Sequence, residues 1–303
     1  MAGISSIGVL PEDCVSAILS LTSPSDAGKL ALVSSMFRSA AESDVVWGRF
    51  LPENYEEIVA ASEMSGEAPL RSKREAFFRL CSPILVDEGK KSFELEKLSG
   101  KVIYMLSARE LSITWSSDPL CWTWKSHPQS TFPEVVELRT VSWLEINGKI
   151  RTKMLSPNTK YGAYLLFKIS ERAYGLELMP AQLSLQLFPI NQPNTNSSNN
   201  NHNNSEAYVW LHHKHHDQNN QSNLESLLYG NRRERATKFI QNHLQNKEFR
   251  VLNQREDGWL EVELGEFFTT QNDQQLHMSF METEGFQLKS GLLIQGIQIR
   301  PKH

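Results

Sequence analysis

A chain of 303 residues, 40% hydrophobic and 22% charged with a formal net charge of -4, has room for two domains and no global field that would draw it to nucleic acid or a membrane. Its first residues lack the basic start and apolar run of a secretory signal, and no stretch is apolar for the roughly 18 residues that a membrane-spanning helix needs. Cys14, Cys81 and Cys121 are odd in number and far apart, so reduced thiols are expected in the nucleus and cytoplasm, without disulfides or glycosylation of the triplets at Asn196, Asn203 and Asn220.

Residues 10 to 50 read as three short helices, because apolar side chains recur at helical steps. In the first, Leu10, Cys14, Ile18 and Leu21 share a face behind Pro11. Pro24, Ser25 and Asp26 break and cap. The second carries Leu30, Val33, Phe37 and Ala41, and Ser43 or Asp44 caps a third with Val46, Trp47 and Phe50. A unit this small buries little surface alone, so a partner is expected. Residues 51–90 continue as a helical linker, with an amphipathic run from Leu70 to Leu80 that stops at Cys81-Ser82-Pro83.

From about residue 92 the period falls towards 2 and β-branched and aromatic residues rise. Val141 to Ile150 alternates into Asn147-Gly148, where a tight hairpin is expected. Ala163 to Ile169, Trp259 to Leu264, His277 to Met281 and Leu292 to Ile299 are further strands. No crossover helix follows them, so the α+β multidomain chain should close with a jelly roll or sandwich and not a parallel sheet. Residues 191–223 hold 11 asparagines and the run HHKHH at 212–216, a composition that builds no core. They read as two low-complexity insertions around a strand at Ala207 to Leu211. Arg232 to Leu244 is a short helix or a charged loop.

Leu10-Pro11-Glu12-Asp13-Cys14, Ile18-Leu19, Leu32-Val33-Ser34, Phe37-Arg38 and Trp47, in that order and spacing, resemble an F-box over residues 1–50. The resemblance implies that Leu10, Pro11, Cys14, Ile18, Leu19, Val33 and Trp47 bind a Skp-type adaptor and, through it, a cullin-RING ubiquitin ligase. Spare apolar surface on a small helical unit agrees with such an interface.

Residues 91–303 resemble the phloem protein 2 family, also called Nictaba-type lectins. The resemblance rests on KSFELEKLSGKVIYMLSARELSITW, W-T-W at 122–124, ELRTVSWLEINGKI, DGWLEVELGEFF and GLLIQGIQIRP. It implies binding of N-acetylglucosamine oligomers or N-glycan cores on a target glycoprotein, with Trp115 and Trp122 as the matching tryptophans and Glu282 as an acidic contact whose companion position is Gln275 here. A sugar site needs a flat aromatic face and a few polar groups. Ser116 to Pro119 supplies turn chemistry to hold indoles outward, and Asp118 an acceptor for a hydroxyl. The Gln275 departure and the Asn-rich insertion favour a second reading, a β-domain that binds protein targets without sugar affinity.

Other constellations are read as structure. Trp143 and Trp259 lie inside strand patterns and are assigned to packing. Glu261 and Glu263 sit about 6 to 7 Å apart by strand rise, a spacing open to an inverting glycosidase pair, but alternation alone makes them the solvated face of a strand. His212, His213, His215 and His216 read as solvated loop. Arg232-Arg233-Glu234-Arg235 reads as an exposed charged helix or an import signal. No C-x-x-C pair is present, so neither a metal, a cofactor nor catalysis by the chain itself is expected.

Overall fold

The computed structural model describes residues 10–61, 70–190, 205–211, 238, 241, 243–285 and 287–303. The chain divides into two compact units, residues 1–104 and 105–303. The expected His run at 212–216, the asparagine tracts on either side of 205–211 and the Arg232–Arg235 run lie outside the described residues.

Serine caps set the breaks in the first unit. Its helices are α1 (Glu12–Leu19), α2 (Pro24–Leu30), α3 (Ser35–Glu42), α4 (Asp44–Phe50), α5 (Tyr55–Ala61) and α6 (Lys73–Leu80). Ser23, Ser34, Ser43 and Ser72 each accept a hydrogen bond from a backbone N–H two or three residues on. The expected second helix therefore splits: Ser34 starts α3, and Leu32 and Val33 fall on the turn before it. A hairpin of β1 (Ile84–Val86) and β2 (Lys91–Leu95), with β2 followed by β3 (Val102–Ser107), completes the unit and runs into the next. Gly100 closes the β2–β3 turn at a φ of +71° with Pro24 and Phe50 against it, so a side chain there is both strained and crowded.

The core of this unit is aromatic. Trp47 is 3% exposed; its ring meets Phe50, Phe77 and Phe78 at 5.7, 5.2 and 5.2 Å between centroids. Its indole N–H donates to the Ala41 carbonyl at 2.6 Å. Phe77 comes from α6, so the segment read as a linker supplies part of the core that closes over α4.

The second unit is a β-sandwich. Its strands are β4 (Ser112–Ile113), β5 (Trp122–Lys125), β6 (Val135–Leu138), β7 (Leu144–Arg151), β8 (Lys160–Tyr174), β9 (Ala181–Pro189), β10 (Ser205–Val209), β11 (Phe249–Arg250), β12 (Asn253–Gln254), β13 (Leu260–Phe268), β14 (Gln274–Glu282) and β15 (Ser290–Pro301). One sheet runs β3-β15-β8-β13-β12, with β6 beside β15 and β5 beside β6; the other runs β11-β10-β9-β14-β7-β4. The long pairings β8–β13, β8–β15, β14–β7 and β14–β9 are antiparallel, and only the short β10–β11 contact is parallel among those described. Alternate residues of β8 and β14 meet between the sheets, with Phe167 and Phe280 at 6.5 Å.

The hairpin expected at Asn147-Gly148 is absent. Both residues lie within β7, opposite Ser279 and Met278. A Cβ on Gly148 would stand 2.9 Å from Ile297 Cδ1, so this glycine serves close sheet-to-sheet packing and not a turn.

Candidate functional site

Two surfaces keep side chains unpaired by the fold. In the first unit, Leu19 and Trp47 are core, which corrects their expected place at a partner interface: Val15 and Leu19 point inward along α1, and Trp47 fills the aromatic cluster. Leu10, Pro11, Cys14, Ile18 and Val33 are exposed as expected. Leu21 and Leu32, each 80% exposed, and Val45 join them. The helical face at Ile18 and the turn at Leu32-Val33 thus present exposed aliphatic side chains. Leu21, read on the apolar face of the first helix, and Leu32, read within the motif, were not expected as contact residues, yet they are more exposed than Leu10, Ile18 or Val33, which were.

In the second unit the segment after β4 carries the tryptophans. Trp115 is 49% exposed and sits at a φ of +59°, a conformation that costs a non-glycine residue about 1–3 kcal/mol and must be held by its surroundings. Two indoles do the holding. Trp122 Nε1 donates to the Thr114 carbonyl at 3.0 Å and Trp124 Nε1 to the Ser116 carbonyl at 3.1 Å. Trp122 is only 2% exposed. Its expected role as an outward sugar platform is therefore corrected: the ring lies in the core and clamps the loop that carries Trp115. Asp118 finishes the turn, its Oδ1 accepting from the Leu120 amide at 2.8 Å and its Oδ2 lying 3.7 Å from Cys121 Sγ.

Beside this loop opens a cavity of about 550 Å³ lined by Arg109, Ser116, Ser117, Thr123, Trp124 and Arg139 among others. Arg109 lies over Trp124 with its Cζ 3.5 Å from the ring centroid, a cation–π contact. Trp143, assigned to packing, is instead half-exposed just before β7, and its indole donates to Glu145 Oε2 at 2.9 Å. That bond and one from the Asn147 amide hold the Glu145 carboxyl below the ordinary carboxylate range. Trp259 is fully buried as expected.

Glu282 is corrected as well. It is buried, and its carboxylate is ion-paired with the buried Lys289 ammonium. Its Oε1 accepts from the Gly285 amide at 2.7 Å, while Lys289 donates to the carbonyls of Ser142, Gly285 and Gln287 at 2.5, 3.0 and 3.3 Å. Both carboxylate oxygens of Glu282 are thus engaged within the fold rather than offered to a ligand. Desolvation pushes the Lys289 ammonium down, to about 8.

Glu261 and Glu263 are neither solvated nor poised as an acid and base. Glu261 accepts from Arg255 at 3.1 Å and from Arg300 at 2.8 and 2.7 Å. Burial opposes its charge, but the two guanidiniums prevail and hold it below the ordinary value. Glu263 is bonded to Tyr164 and Lys302. Glu261, held as a carboxylate by two guanidiniums, has no proton to donate at neutral pH.

The first unit leaves aliphatic side chains exposed, and the second carries an open pocket lined in part by polar groups. Sequence comparison places the chain. The F-box domain model matches residues 7–49 and the phloem protein 2 model residues 101–301. F-box protein PP2-B15 of Arabidopsis thaliana is 42% identical over 97% of this chain and 96% of its own length, and F-box protein VBF of the same plant is 40% identical over 97% and 99%. The chain belongs to the phloem protein 2 family, in its F-box-bearing form. Among solved structures, a β-(1,4)-mannanase of Podospora anserina matches with a TM-score of 0.28 and 11% identity over 66% of this chain and 28% of that one, too slight a likeness to carry any argument.

Proposed function

We propose that this chain is the target-selecting subunit of a Skp–cullin–F-box ubiquitin ligase. The observation that carries the reading is the aliphatic set Leu10, Ile18, Leu21, Leu32 and Val33, left exposed on a unit whose aromatic core is otherwise closed. A Skp-type adaptor is the partner that such an F-box face accepts. The chain contributes proximity and no chemistry: holding a target beside a charged ubiquitin carrier raises their effective concentration. Co-purification tests this. The wild-type chain should recover the adaptor and Ile18→Asp should lose it; a wild-type chain that recovers none ends the proposal.

Within that role, the β-sandwich binds N-acetylglucosamine oligomers or N-glycan cores through Trp115, the exposed indole of the loop, with Ser116, Ser117 and Asp118 beside it. Family membership and the outward set of Trp115 support this. The burial of Trp122 and of Glu282 favours the second reading, in which the same edge binds a protein target without sugar affinity. A glycan array separates the two. Binding lost in Trp115→Ala supports the lectin, and a blank array from folded protein supports the protein-binding surface.

A further inference from the structure

The cavity beside Trp124 holds chemistry that a neutral sugar leaves unused. Arg109 and Arg139 both line it together with the hydroxyls of Ser116, Ser117 and Thr123, and no carboxylate does. Each guanidinium is fixed along one edge and open along another. Arg109 lies on the Trp124 ring, and its Nε and Nη2 donate to Glu134 at 2.9 and 2.7 Å; Nη1 has no acceptor among the described residues. Arg139 Nη1 donates to the Pro119 carbonyl at 3.0 Å, which leaves its Nε and Nη2. Two nearby carboxylates are engaged, Glu134 by Arg109 and Asp118 by the Leu120 amide.

Planar forks with spare N–H groups match the oxygens of phosphate, and a fork stacked on an aromatic ring or anchored to a carbonyl loses less freedom when it binds. Two of them at one mouth, with hydroxyls to meet the remaining oxygens, make an arginine-based phosphate cradle. A peptide carboxylate brings one charge and two oxygens, too few to use both forks and the hydroxyls together.

We propose that this cavity receives a phosphate monoester carried by a side chain of the target protein. The proposal rests on the reading of the sandwich as the target-selecting half and names the chemistry it selects. No covalent step is involved. The phosphate adds to the arginine edges left open and leaves the Arg109–Glu134 pair in place.

Isothermal titration of the full chain with a phosphoserine peptide in a Gly/Ala frame, the same peptide unphosphorylated, and glucosamine 6-phosphate tests it. The phosphopeptide should bind about tenfold or more tightly than the unphosphorylated form. Arg139→Gln, an exposed position, should abolish that advantage, and Ser117→Ala should reduce it. Lys125→Gln should keep it, because Lys125 is outside the lining and already paired with Glu137 at 2.8 Å. Equal binding of the two peptides overturns the proposal, as does an equal loss in Lys125→Gln, which would mark diffuse charge attraction. Tighter binding of the sugar phosphate than of the phosphopeptide overturns the assignment to a protein side chain. Adaptor recovery is read at Ile18 and glycan binding at Trp115, whereas Arg139 belongs to neither reading, so its loss of phosphopeptide preference is distinguishable from a failure of either.

Discussion

The helical unit and the sandwich both leave apolar side chains in water, but by different means. In the helical unit Ile18, Leu21, Leu32 and Val33 are out because the unit is small: its core is filled by Trp47, Phe50, Phe77 and Leu80, and helix ends have nothing left to cover them. In the sandwich the core is ample, and it draws Trp122 and Trp259 fully inside. Trp115 stays out only because a positive-φ turn, clamped by two indole N–H groups, puts it there. Exposure that arises from scarcity gives a broad face suited to a protein partner. Exposure that is held against backbone strain gives a single point suited to a ligand.

The largest test of that contrast sets Trp122 against Trp115. Trp122→Ala removes a buried indole and one clamp of the loop, and should destabilise the sandwich by about 3–5 kcal/mol. Trp115→Ala, at an exposed position, should stay within about 0.5 kcal/mol. Urea unfolding followed by near-ultraviolet circular dichroism reads both. A Trp122→Ala variant as stable as wild type would return that ring to the surface and break the comparison.

The Glu282–Lys289 pair comes next. Removing one partner leaves an uncompensated buried charge, so Glu282→Leu should cost about 3–5 kcal/mol, whereas Glu282→Leu with Lys289→Met should recover most of the loss. Were Glu282 a sugar contact, the single substitution would weaken glycan binding and leave the urea midpoint unchanged.

Much of this molecule was legible from its residues, and the failures share one cause. Strands β8, β13, β14 and β15 fall where alternation put them, and helical periodicity located the first and last of the three expected helices, while the Ser34 cap divides the second into α2 and α3. Motif matching, however, does not say which way a matched residue faces. Leu19 and Trp47 match a binding motif yet hold the core; Trp122 and Glu282 match a sugar site yet are sealed. The signal for Glu282 lay outside its own strand, in Lys289, seven residues on and across the β14–β15 connection. Asn147-Gly148 misled for a related reason: glycine serves close packing as well as turns, and only the neighbour Ile297 decides which. Arg109 and Arg139 carried no sequence signal, because thirty residues separate two side chains that the loop brings to one cavity.

On the adaptor face the expected effect is intermediate. Ile18→Asp or Leu32→Asp places a charge where an apolar contact is required and should weaken adaptor binding by about 2 kcal/mol, roughly 30-fold, as interface hot spots do. Leu32→Asp should leave the unfolding midpoint unchanged and Ile18→Asp should lower it only slightly, since the two side chains are 80% and 50% exposed. Trp47→Ala should also lose the adaptor, but by loosening the aromatic core, so its binding defect should appear together with a lower midpoint. Loss of binding in Trp47→Ala with the midpoint intact would place that ring at the interface after all.

The smallest effect concerns a surface pair and sharpens the contrast with Glu282. Hydrogen bonds from Lys160 and Lys302 pull the Glu266 carboxyl from its ordinary 4.5 to about 2. A depressed folded-state value means that the carboxylate stabilises the fold above the unfolded value and that the contribution is lost as pH falls through about 2. Stability measured from pH 5 downward should therefore decline in part through this group, and Glu266→Gln should flatten that decline. Because Glu266 is partly solvated, added salt should shrink the difference between the two proteins. The cost of Glu282→Leu, arising where water and ions do not enter, should persist at the same salt. A Glu266→Gln slope identical to wild type at low salt would remove the lysine pair from the acid response.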